Sequence, residues 1–217
     1  MKSFLLFALI SLLTFNDFNC QSESKDSKEQ VPSVVKTNIE NMSDLPYYQI
    51  PDAPETFTAA TVAARTIDGL GYRFYWASEE LSEEAKAYDP GNENRSPQQM
   101  MDHFVGLSSM IHNSIHKLPN IRPAEKKEMT FAEKRKTVLE NLKATSDLLR
   151  ANPDMDLSEC KIIFQRGEKK SEVPFWNILN GPLSDAIYHT GQMVSYRRSA
   201  GNPMNPNVNV FMGKNRE

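Results

Sequence analysis

Three side chains able to bind a metal ion, His103, Asp185 and His189, stand at spacings that place them on helix faces. Asp185 and His189 are four residues apart, and residues so spaced are neighbours on a helix. The apolar centre of their segment is set by Phe175, Leu179, Ala186 and Met193. At helical spacing, Asp185, His189, Gln192 and Tyr196 then share one flank, about 40–100° from that centre. His103 lies about 60° from the apolar direction of its own segment, which Met100, Phe104, Leu107, Met110, Ile111, Ile115 and Leu118 define. Two imidazoles and one carboxylate form a facial set that leaves positions open on a divalent ion for water or substrate. The same spacing also builds a buried Asp–His hydrogen bond that only orients the imidazole, with Gln192 and Tyr196 as satisfied polar residues. Spacing alone leaves both readings open.

Other candidates carry less chemistry. His112 and His116 are also four apart, but they fall about 120° and 160° from the apolar direction, on the outer face. They lack a third ligand in sequence and sit near a helix C-terminus, where the dipole favours histidine, so they read as surface residues. Glu79 and Glu80 are candidate bases by availability only. No phosphate-cradling glycine loop, nucleophile elbow or cysteine-pair zinc pattern occurs. With 25 basic and 28 acidic residues and a net charge of -3, the chain lacks the basic footprint of nucleic-acid binding. Two cysteines, Cys20 and Cys160, cannot make a disulfide framework, and Cys160 reads as a structural, partly buried thiol.

Four helices must position the flanking residues. The first runs over about Thr58–Leu81, where Gly69 and Gly71 point either to close approach by a neighbour or to a local break. The second opens at Ser96-Pro97-Gln98-Gln99, a cap, a proline at the first helical position and a capping-box glutamine, and should stop before Pro119. The third opens at Thr130 with Glu133 as its capping-box partner and ends at Asn152-Pro153. RPAEKKEM, between the second and third, reads as a solvated loop. Lys161–Phe164 and Val173 flank a turn and read as a short hairpin. The fourth helix covers about Phe175–Ala200, with Pro182 forcing a kink or a late start. The expected fold is all-α, a four-helix bundle with a short β-hairpin between helices 3 and 4.

Residues 1–20 pair Lys2 with an apolar run from Phe4 to Phe15, which reads as a signal peptide and is too short to span a bilayer. Cys20 follows, ahead of the polar stretch QSESKDSKEQ, in the position of a lipidated cysteine on a tether. Cleavage nearby without lipidation is the alternative. The expected organisation is a signal peptide at 1–20, a tether and lead-in at 21–56, and one domain at 57–217. The expected location is the periplasm, free or membrane-anchored through Cys20.

The pattern Ser96-Pro97-x-x-Met100-x-x-His103, then Asp185-x-x-x-His189-x-Gly191-Gln192 and an Arg197-Arg198-x-x-Gly201-x-Pro203 ending, resembles the DinB/YfiT-like superfamily over residues 57–212. The resemblance implies a four-helix bundle in which a histidine of the second helix and a histidine pair of the fourth hold a divalent metal. His103 and His189 match ligand positions, and Gln192 matches the polar residue after the last ligand. Asp185 departs from the pattern, since the family has histidine there. Carboxylate oxygen is a competent ligand for zinc or manganese, so the expected ion is zinc first, with nickel or manganese as alternatives. The family's activities include thiol-dependent transfer, isomerisation and hydrolysis. Activated water suits an exported protein better than a cytosolic thiol does. The expectation is a metal-dependent hydrolase or transferase of small molecules, in a family whose bundles often form homodimers. The alternative is a catalytically silent lipoprotein, or a partner-binding bundle, that keeps the polar cluster structurally.

Overall fold

A computed structural model describes residues 45–125 and 127–217. The expected signal peptide, Cys20 and the tether as far as residue 44 lie outside the described residues. The chain is mostly helical, with α1 (Ala59–Ser78), α2 (Glu83–Ala87), α3 (Pro97–Ile115), α4 (Phe131–Ala151), a single turn α5 (Trp176–Ile178) and α6 (Ser184–Ser199). It also has a three-stranded mixed sheet of β1 (Pro119–Ile121), β2 (Ile162–Arg166) and β3 (Lys169–Val173). None of the described helices is long and apolar enough to cross a membrane.

Helix starts follow the capping chemistry of the sequence. Ser96 Oγ accepts from the Gln99 amide while Gln99 Oε1 accepts from the Ser96 amide, and Thr130 and Glu133 make the same reciprocal pair. Thr58 and Thr61 cap α1 likewise. The end of α1 is closed from outside. Buried Arg197 of α6 donates through Nη1 to the carbonyls of Trp76, Ala77 and Glu79, which the helix itself leaves without amide partners.

Each long helix packs on two others, in the cyclic order α1, α4, α3, α6. Arg135 meets Ser78 whereas Arg150 meets Asp68, so α4 runs antiparallel to α1. Lys134 meets Asp102 and Asn141 meets Ser108, so α3 and α4 run parallel. A parallel pair needs a return connection, and residues 116–130 supply it. Leu70, Phe74, Phe104, Ile111, Leu139, Leu142 and Met193 fill the interior, with the Phe74 and Phe104 rings 4.8 Å apart. Ahead of α1, Tyr47 is buried with its ring against Gly71, where a Cβ would lie 2.5 Å from ring carbons, and its hydroxyl donates to Asp68 at 3.1 Å. Gly71 therefore marks close approach by a neighbour, and no break occurs at it.

One feature corrects the all-α expectation. β2 and β3 do form an antiparallel hairpin, but β1 adds a third strand parallel to β2, with Asn120 opposite Phe164. Three residues beginning with proline are too short to show a period of two, so β1 carries no strand signal. α2, capped by Ser82, is likewise only five residues long. The fourth expected helix has the interruption expected at Pro182: α5 leads into a π-helical turn, Leu179–Leu183, in which Gly181 leaves helical geometry, and α6 starts at Ser184.

Candidate metal centre

The late start of α6 puts Asp185 in its first turn. His189 stands one turn on, and His103 faces both from the second turn of α3. Asp185 Oδ2 lies 2.9 Å from His103 Nε2 and Asp185 Oδ1 lies 3.3 Å from His189 Nε2. The two imidazole rings meet edge to face at 4.8 Å. One donor atom from each of the three residues lies within 4.8 Å of the others, so the group could hold a metal ion. Side-chain exposures of 31% for His103, 41% for Asp185 and 15% for His189 leave the group open on the Asp185 side and closed behind His189. Phe104 forms part of that closure, its ring 6.4 Å from His189.

A further hydrogen bond governs which nitrogen of His189 is free. Gln192 Oε1 accepts from His189 Nδ1 at 2.6 Å, and Gln192 Nε2 donates to the Tyr188 hydroxyl at 3.2 Å. A neutral His189 holding its proton on Nδ1 turns a lone pair on Nε2 toward a carboxylate oxygen, and two acceptors face each other. A cation between them resolves the conflict, as does a second proton on the ring. Fixing a ligand imidazole through its other N–H is the usual support of a metal site. The donor set of two Nε2 atoms and one carboxylate oxygen fits a divalent ion of zinc type. The two imidazoles meet different oxygens of Asp185, Oδ2 toward His103 and Oδ1 toward His189.

The remaining candidates separate from this cluster. Tyr196, two turns beyond His189 on α6 and therefore about 10 Å along the helix axis, packs its ring on Tyr88 at 5.8 Å. Glu79 pairs with Arg135 at 2.5 Å at the end of α1. His112 and His116 stack on each other near the end of α3. Cys160 is fully buried, and burial pushes its thiol above the ordinary range, which fits a structural residue. Tyr188 is the participant that sequence reading missed. It is four residues before Gln192, so the helical spacing that found Asp185 and His189 also contained it. Compared with known proteins, the chain matches no family model, no curated protein and no solved structure.

Proposed function

We propose that the chain is a DinB-like four-helix bundle that binds a divalent cation, zinc first, through His103, Asp185 and His189, and acts as a metal-dependent hydrolase or transferase on a small molecule. One observation carries this reading: three donor atoms from two helices converge on an open face while Gln192 holds the far nitrogen of His189. The cyclic packing of four long helices, with His103 on the second and Asp185 and His189 on the last, supports the bundle. Zinc bound there would supply a Lewis acid and bring the acidity of a water to near-neutral pH. The chain's own groups do the rest. Gln192 keeps His189 in the tautomer that presents Nε2, and Phe104 closes the site from behind. Tyr188, whose oxygen already accepts from Gln192, keeps its hydroxyl hydrogen free for a substrate oxygen.

Chelator-stripped protein should gain turnover of activated esters or amides when zinc is restored, and Asp185→Ala should not. Equal turnover by the zinc-restored protein and by Asp185→Ala would sink the enzymatic reading. A second reading rests on the 2.9 Å contact of His103 with Asp185, a sound hydrogen bond without any ion. In that reading the cluster is structural, and His103→Ala lowers the unfolding midpoint by the same amount with and without zinc. We also propose export, with Cys20 as lipid anchor. Cys20→Ser should then move the protein from the membrane fraction to the soluble one, and unchanged fractionation would remove the anchor.

A further inference from the structure

A cleft of about 530 Å³ opens between the end of α1, α2 and the start of α4, and no residue of the proposed centre lines it. Its size is that of a small-molecule site. Leu45, Leu81, Phe131 and Ala132 give it an apolar wall, and Arg135 lies beside them. The Arg135 side chain is only 6% exposed. Its Nε donates to Ser78 Oγ at 3.0 Å, and its Nη2 is shared between the Tyr75 carbonyl at 3.2 Å and the Glu79 carboxylate. These contacts fasten the guanidinium to the end of α1. They leave Nη1, with two N–H donors, without a hydrogen-bond partner among the described residues. Nη1 is also not among the buried polar atoms that lack a partner, so it keeps open surface, and in so buried a side chain that surface faces the cleft.

A desolvated cation with unused donors gains more from an anionic acceptor than from water, because low-dielectric surroundings strengthen the pairing. Lys86 Nζ, 5.0 Å from the centre of the Phe131 ring, adds positive charge to the same wall, although Glu83 shares it. The acids of the cleft then limit which anion fits. Glu133 is turned to the cap of α4, where its Oε2 accepts from the Thr130 amide and hydroxyl. Glu79 is held by Arg135, and Glu80 stands exposed on the rim. Two nearby carboxylates repel a doubly charged phosphate about twice as strongly as a single carboxylate. We propose that this cleft binds a small organic molecule with one carboxylate and an apolar body, the carboxylate on Arg135 Nη1 and the body against Leu45, Leu81 and Phe131. The forked guanidinium supplies orientation, since Nε and Nη2 are tied to α1 while Nη1 points to the ligand.

The test uses the full chain carrying His189→Ala and treated with chelator, so that a carboxylate held by metal at the centre proposed above is not counted. Titrated calorimetrically with octanoate, this protein should take up one equivalent. Octanol keeps the tail but not the charge, and should bind about tenfold or more weakly. Arg135→Lys should weaken octanoate by a similar factor, because a single ammonium cannot serve both α1 and the ligand. Ala132→Trp fills the cleft from an exposed position, leaves the contacts of Arg135 with α1 in place, and should abolish uptake. No uptake of octanoate overturns the proposal, as does octanol binding equally well or Ala132→Trp binding octanoate undiminished. A readout without any change in α4 guards against misfolding of the variants. Octanoate added to the His189→Ala protein with isotope-labelled leucine methyl groups should shift the Leu45 and Leu81 signals. Failure of both to move contradicts the proposal.

Discussion

At the residue scale, the candidate centre depends on how His189 is held. Gln192 Oε1 accepts a hydrogen bond from His189 Nδ1 at 2.6 Å, and Gln192 Nε2 donates to the Tyr188 hydroxyl. Gln192→Leu keeps size but removes the acceptor, freeing the ring to rotate or change tautomer. Zinc affinity in a competition titration should fall about ten- to a hundredfold, while the unfolding midpoint without metal changes little. His103, Asp185, His189 and Gln192 were legible because helical period alone places them on facing flanks, and the structure brings those four together. Tyr196 shares the flank but sits two turns along the axis, a separation that angular position does not express. Tyr188 was overlooked because it is largely exposed, and a search confined to core-facing flanks passes over it.

At the element scale, close approach and burial set the sensitive positions. Gly71 leaves room for the Tyr47 ring, and a Cβ there would come within 2.5 Å of it. Gly71→Ala gains helix propensity worth about 1 kcal/mol but forces Tyr47 out of its seat. A net loss of about 1–3 kcal/mol is expected by urea denaturation, and an unchanged or higher stability would remove the contact as a determinant.

At the end of α1, burial pushes the Glu79 carboxyl above its ordinary value of 4.5, with Arg135 beside it pulling the other way. A carboxyl raised in the folded state contributes stability below its unfolded value, and that contribution is lost as pH rises through the folded value. Glu79→Gln should therefore compare more favourably with the wild type at pH 7 than at pH 4. The opposite trend in urea midpoints would mean that the Arg135 pairing dominates. The capped helix starts at Ser96 and Thr130 were legible because a cap is a local signal; β1 and α2 were not, since each is shorter than the period needed to reveal it.

At the scale of the whole molecule, the lead-in, α1 and α4 are joined through one buried carboxylate. Asp68 is fully buried, accepts from Tyr47 and pairs with Arg150, which also donates to the Asp52 carbonyl. Arg150→Met leaves that carboxylate without its counter-charge. It should cost about 3–5 kcal/mol in a denaturation experiment, and a cost below about 1 kcal/mol would show the pair to be dispensable. Helix order and chain direction were only partly legible, because contacts such as Asn141 with Ser108 join positions that no local pattern links. The central claim concerns the ion between α3 and α6. Its most direct test is the metal content of protein purified without an affinity tag, compared with and without His189→Ala. The account predicts near-stoichiometric divalent metal, zinc foremost, in the protein that keeps His189, and its loss from the alanine variant. Metal retained in the alanine variant, or none in the chain that keeps His189, would contradict it.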